Sequence, residues 1–150
     1  MMYVAVLIND PNKSILSRIV QVFTKSVSSH VELVFSDGTA AIVTPQWMTL
    51  EKRKDKYDLY HWVMIPLPEI TETMEEEIRE RAREIFKDAP RYDYLGAVSG
   101  YFHSCVQNEA DWYCGELVVE LLREYIPELE PLADTWATPE LVWKTLVNRK

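Results

Sequence analysis

Asp111-Trp112-Tyr113-Cys114-Gly115-Glu116-Leu117-Val118-Val119-Glu120-Leu121-Leu122 reads as a loop that turns into a helix, with a cysteine at the turn. From Leu117 the apolar residues fall at Leu117, Val118, Leu121, Leu122 and Tyr125, one stripe at helical spacing that faces a core. Cys114 then sits at or beside the first helical turn. Unpaired backbone N–H groups and the positive end of a helix dipole favour a thiolate at such a place. A thiolate is a strong nucleophile, and the same N–H groups can hold a developing oxyanion. A lone cysteine is more often a small buried hydrophobe. A second stretch far upstream, Ser28-Ser29-His30-Val31-Glu32-Leu33-Val34-Phe35, gives this one more weight.

The chain of 150 residues is long enough for one domain with its own core. A formal charge of −8 argues against a phosphate-binding face, so nucleic acid is not an expected partner. The apolar run Met2–Ile8 has no basic flank or cleavage site and is too short to span a bilayer, so neither a signal peptide nor a membrane span is expected. The default compartment is then the cytoplasm, and Cys105 and Cys114 are expected as free thiols. Neither cysteine nor histidine spacing forms a zinc signature, so no metal or cofactor is called for.

In chain order, Tyr3–Ile8 is a buried strand closed by the turn Asn9–Asn12, and Ser14–Thr24 carries a helical stripe of Ile15, Leu16, Ile19, Val20 and Phe23. His30–Phe35 reads as a strand with His30, Glu32 and Val34 on one face. Asp37-Gly38 marks a hairpin turn, and Ala40–Thr44 returns. Gln46–Tyr57 has no period and many charges, so it is expected as an exposed loop. Asp58–Pro66 is another strand, ended by proline.

Thr71 caps a long helix whose stripe is Met74, Ile78, Ala82, Ile85 and Phe86. Its Glu75/Arg79 and Glu77/Arg81 pairs are expected on a solvated face. A short helix through Phe102 and a polar loop Ser104–Asp111 lead to the cysteine. Pro127–Asp134 is expected as an acidic loop. Thr138-Pro139 starts the last helix, with Leu141, Val142, Thr145 and Leu146 on its core side.

Acyl transfer by a thiol needs a nucleophile, a base within hydrogen-bond reach and a group that orients the base. Cys114 can be the first. Of three histidines, His30 opens a strand behind two serines, His61 lies within an apolar strand beside Trp62, and His103 precedes the loop to Cys114. His30 is the preferred base, and His103 is the weaker rival.

The order of these parts carries a resemblance. An apolar strand, a short helix, Ser29-His30-Val31-Glu32-Leu33-Val34, an Asp-Gly turn, Tyr92-Asp93 and then Trp112-Tyr113-Cys114-Gly115-Glu116-Leu117 resembles the circularly permuted NlpC-type papain-like proteins, the YiiX-like branch, and especially its small phage-encoded members. The resemblance runs over nearly the whole chain. It implies an α+β fold: an antiparallel sheet or half-barrel with the cysteine helix packed against it. It implies Cys114 as nucleophile, His30 as base and Tyr92 as a group that positions substrate or holds the oxyanion.

Members of that branch commonly carry a carboxylate near the end of the returning strand, where this chain has Thr44, followed by Pro45 and Gln46. Thr44 is therefore the third catalytic candidate, with Glu32, Gln46 and Glu116 as substitutes. Glu32 lies two residues along the same strand face from His30, roughly 6.5–7 Å away, a poor distance for orienting its own neighbour. Glu116 fits the pattern after the cysteine and can also complete the helix N-terminus.

The resemblance implies a cysteine hydrolase or acyltransferase acting on an amide or ester, with a small peptide, amide or lipid-ester substrate and, for a phage-encoded chain, the host cytoplasm as its place. The competing expectation is a papain-like binding or regulatory module that has lost turnover, such as a phage protein acting on a host factor.

Overall fold

The structure, a computed structural model, describes residues 1–8, 28–44, 48–53, 56–88, 91–92, 111–135 and 137–149, with backbone alone at 88, 91–92 and 111–112. The expected helix Ser14–Thr24, the helix through Phe102, most of the loop Ser104–Asp111, and Gln46, His103 and Cys105 lie outside the described residues.

The fold is α+β. Its sheet has strands β1 (Met2–Leu7), β2 (His30–Val34), β3 (Thr39–Val43), β4 (Met48–Lys52) and β5 (Trp62–Leu67). They run antiparallel in the order β4-β3-β2-β1-β5. Alternation along the strands gives the sheet two apolar faces. Val4, Val6, Val31, Leu33, Ala41, Val43 and Ile65 face the main core with the helices. Ala5, Val34, Ala40, Ile42 and Trp62 form a smaller cluster on the other face, flanked by Tyr3, Leu7, Tyr57 and Met64. The turn between β2 and β3 is built on Asp37-Gly38, with Gly38 at φ 80°, a backbone angle that an L side chain resists.

Two sequence expectations change here. The Gln46–Tyr57 loop contains strand β4, whose residues pair with β3 from Val43↔Met48 to Thr39↔Lys52. Its half-buried Met48 and Leu50 pack on the main core. The strand expected to stop at Pro66 instead runs through it to Leu67, and Asp58–His61 is a turn. Proline is tolerated because β5 is an edge strand. N and O of one antiparallel residue point to the same side. The Pro66 carbonyl is turned away from β1 and accepts from Arg149 Nη2 at 2.6 Å.

The helices are α1 (Glu72–Asp88), α2 (Cys114–Leu122), α3 (Glu130–Ala133) and α4 (Pro139–Asn148). Thr71 Oγ1 accepts the Met74 N–H at 3.3 Å at the start of α1, and Thr138 Oγ1 accepts the Leu141 N–H at 3.1 Å at the start of α4. Helix α2 packs on β2 and β3 on one side and on α1, α3 and α4 on others. It is therefore buried beyond a single stripe: Gly115 and Val119 are inside along with Leu117, Val118, Leu121 and Leu122. Fully burying a Val or Leu contributes about 1.5–3 kcal/mol, so this short apolar helix is held by packing rather than propensity.

The Pro127–Asp134 loop is a 3-10 turn, Pro127–Leu129, running into α3. In α4, Val142 and Leu146 are buried while Leu141 is 41% exposed, so Leu141 leaves the expected core stripe. The α1 charges are not simply a solvated face. Arg81 binds Glu120 and Glu124, Tyr125 donates to Glu77, and Arg79 is nearly covered, so these groups join α1 to its neighbours. Among the described residues no helix is long and apolar enough to cross a membrane.

Candidate functional site

The site lies at the end of the sheet where β2 begins and helix α2 starts. Cys114 is the first residue of α2, and the Tyr113 before it has extended backbone (φ −121°, ψ 167°), as a helix N-cap residue does. The first intrahelical bond runs from the Leu117 N–H to the Tyr113 carbonyl at 3.1 Å. Backbone N–H groups at this first turn surround the sulfur's position with positive partial charge.

Gly115 allows this placement. A Cβ built there would stand 1.7 Å from the Ala137 carbonyl oxygen, so only glycine lets the start of α2 rest against the chain entering α4. Cys114 itself is 6% exposed.

His30 is the first residue of β2, across from Leu7 of β1, which in turn pairs with Trp62 of β5. Its ring stands edge-on to Trp62 with centroids 6.4 Å apart. Among the described residues the imidazole at this strand end reaches Cys114 and Glu32. The Cys114 side chain is its hydrogen-bond partner on one side. On the other, Nε2 lies 3.3 Å from Glu32 Oε1. Burial alone would lower the imidazole's pKa; the charge and hydrogen bond of the Cys114 sulfur, with those of Glu32, outweigh it and raise it to about 10.

Glu32 is fully buried, on the same face as His30, opposite the small Ala5 of β1. Three further contacts reach its carboxylate. Arg53 Nη2 donates to Oε1 at 2.6 Å and Arg53 Nε to Oε2 at 3.4 Å. The Tyr57 hydroxyl donates to Oε2 at 2.5 Å. Burial would push this carboxyl up, but the hydrogen bond and charge of His30, then the bonds from Arg53 and Tyr57, hold it down at about 2. Tyr57 is pushed above the ordinary phenol range by burial and by the Glu32 charge, which keeps it a donor. Its ring stands edge-on to Trp62 at 5.1 Å.

The sequence-predicted residues separate accordingly. Cys114, His30 and Glu32 come together. The spacing objection to Glu32 fails because strand spacing measures backbone, while a glutamate side chain can lean along the strand face to its neighbour two residues away. Thr44 is half-buried just past β3. The β2–β3 rungs are Leu33↔Ala41 and Val34↔Ala40, and that register counted onward sets Thr44 across from His30. Glu116 lies in the first turn of α2, half-buried. The Tyr92 backbone pairs with Trp112, in a short parallel ladder of β6 (Arg91–Tyr92) and β7 (Asp111–Trp112), two residues before the cysteine. His61 sits in the turn before β5 with Nδ1 2.8 Å from Asp58 Oδ1.

Arg53, Tyr57 and Trp62 were not among the expected site residues. The signal that could have found the first was Glu32 itself: a carboxylate inside a buried strand requires a cation or strong donors. Among the described residues no group of three His, Cys, Asp or Glu side chains is placed to hold a metal ion. Comparison of the chain with family models, with curated proteins and with solved structures finds no match.

Proposed function

We propose that this protein is a cysteine-dependent hydrolase or acyltransferase acting on an amide or ester carbonyl, built as a permuted papain-like domain. The observation that carries the reading is the Cys114–His30–Glu32 line, in which the imidazole bridges a thiol at a helix N-terminus and a buried carboxylate.

With Nε2 turned to Glu32, Nδ1 is the nitrogen left for the sulfur. His30 takes the thiol proton, and the sulfur attacks the carbonyl carbon to form a tetrahedral adduct. N–H groups at the start of α2 are suited to its oxyanion. The imidazolium returns the proton to the leaving amine or alcohol, giving a thioester. Water, deprotonated by His30, or an acceptor nucleophile then releases the acyl group. Glu32 keeps the ring oriented and favours its charged form, the part a carboxylate plays beside a catalytic histidine. This assigns to Glu32 the role that the returning-strand position would otherwise give to Thr44. The substrate class is a small peptide, amide or lipid ester.

The test is acylation by p-nitrophenyl acetate followed by intact-mass and peptide mass spectrometry. Cys114 is expected to gain one acetyl group faster than Cys105 at neutral pH, and His30→Ala is expected to slow it. Equal, slow labelling of both cysteines counts against the reading.

The second reading is a papain-like binding domain without turnover, and it is favoured by the 6% exposure of Cys114. Thioester that forms but never releases, with ligand binding unchanged in Cys114→Ala, would select it.

A further inference from the structure

Among the described residues three partners meet the two oxygens of buried Glu32, and their division is uneven. His30 and Arg53 share Oε1, while Tyr57 holds Oε2 with Arg53 Nε at longer range. A carboxylate with χ freedom and no covering side chains would swing between these options. Here Tyr57 holds Oε2 and Arg53 spans both oxygens, which fixes the carboxylate with Oε1 at the imidazole.

Both side chains come from the segment that follows β4, and both are anchored independently of Glu32. The Arg53 N–H donates to the Gly38 carbonyl at 2.9 Å, the Lys56 N–H donates to the Arg53 carbonyl at 2.8 Å, and Tyr57 packs on Trp62. Besides His30 of its own strand, the carboxylate is thus held from the β2–β3 turn and from β5.

We infer that Arg53 and Tyr57 are positioning residues of the cysteine–histidine site, aiming the Glu32 carboxylate at His30 from the segment after β4. The inference rests on the reading of Cys114, His30 and Glu32 given above. It also ties reactivity to the pairing of β4 with β3, since Arg53 directly follows β4. Arg53 shares an oxygen with His30, so it offsets part of the carboxylate charge while holding it in place. Tyr57 adds direction without charge. Loss of Arg53 leaves a buried carboxylate with the imidazole as its one cationic partner among the described residues, free to rotate or to take up a proton.

The experiment combines two readouts on the whole chain. One is the imidazole N–H proton of His30 by NMR, assigned with His30→Ala, which lies far downfield when a carboxylate holds Nε2. The other is the rate of Cys114 acetylation by p-nitrophenyl acetate. Arg53→Met is expected to remove the downfield signal and slow acetylation about tenfold to a hundredfold, the scale of a lost charged hydrogen bond. Tyr57→Phe is expected to shift the signal and slow the reaction less, by about threefold to tenfold. Arg53→Lys, which restores the cation, is expected to recover most of both.

If Arg53→Met and Tyr57→Phe leave either readout at its wild-type value, the inference is overturned while the reading of the site stands. If wild-type Cys114 is not acetylated ahead of Cys105, the reading of function fails, and the His30 signal then decides the inference alone. A purely structural role would lower the melting temperature of the variants and leave the signal and the rate unchanged in the folded protein. Arg53→Lys and Tyr57→Phe keep the test decisive if Arg53→Met does not fold.

Discussion

Among the described residues two acidic side chains are buried beside an arginine, and they end differently. Glu32 is 0% exposed and meets Arg53, Tyr57 and His30. Glu75, on helix α1, is 7% exposed; its Oε1 accepts from the Ser36 N–H at 2.8 Å, the Ser36 hydroxyl at 2.9 Å and Arg79 Nη2 at 3.2 Å. Arg79 also lies over the Phe35 ring and reaches Asp37. The second cluster closes on a backbone turn and ties α1 to the β2–β3 hairpin. The first closes on an imidazole whose other partner is a thiol. Burial of an ion pair is therefore not by itself the mark of a site. The mark is a titratable group at the end of the chain of contacts that can exchange a proton with a nucleophile.

The sharpest way to break the comparison is to remove the nucleophile. Cys114→Ser is expected to lower acylation by ~10³-fold or more, because a hydroxyl in place of the thiol needs far stronger activation. Ser and Cys are close in volume, so the fold is expected to hold, with a lower melting temperature because His30 loses the sulfur that helps raise its pKa. Retained acylation in this variant would place the reactive group elsewhere.

Gly115→Ala attacks the seat instead. The added methyl would meet a backbone carbonyl, not a flexible side-chain end. It is expected to destabilise the fold by about 3 kcal/mol or more, and to displace the start of α2. Chemical denaturation measures the first effect, and the acetylation rate of the remaining folded protein measures the second. A variant as stable as the wild type would mean that Ala137 and α4 give way freely.

The pH dependence of stability tests the Glu32–His30 cluster next. The Glu32 carboxyl falls from 4.5 to about 2 in the folded protein. Its contribution, about 3 kcal/mol, is therefore present above pH 4.5 and lost as pH falls through 2. His30 goes the other way, from 6.5 up to about 10, so its contribution is full below 6.5 and fades as pH rises toward 10. Together they give a stability plateau between pH 4.5 and 6.5. Urea unfolding at pH 3 and pH 5.5 should show the acid-side fall in wild type and a flatter profile in Glu32→Gln. An equal fall in that variant would assign the acid sensitivity to other carboxylates.

Much of this architecture is legible in local residues. The apolar runs of β1 and β2, the Asp37-Gly38 turn and the Thr71 and Thr138 caps act within a few residues, so their signals are local. Cys114 at a helix start and His30 at a strand start are legible for the same reason. The grip on Glu32 is not. It depends on β4 pairing with β3 in one register, and β4 is a half-buried edge strand whose Met-Thr-Leu-Glu-Lys carries only a weak alternation. Arg53 and Tyr57 look like solvated loop residues until that pairing is known. Pro66 misleads for a related reason: whether proline ends a strand depends on whether the strand lies at an edge, which is a property of the whole sheet.

The smallest effect tests the other half of the comparison. Glu75→Gln keeps an oxygen that can accept from Ser36 but gives up the charge facing Arg79. Arg79 retains Asp37 at 3.3 Å, Glu76 at 3.5 Å and the Phe35 ring, so the lost attraction is partly replaced. The expected cost is about 1 kcal/mol, below the full value of a charged hydrogen bond. Calorimetry should register a modest drop in melting temperature, while Cys114 acetylation and the His30 signal should match wild type. A slowed reaction in Glu75→Gln would mean that the hairpin joining β2 to β3 transmits strain to His30, and that the two clusters act as one unit.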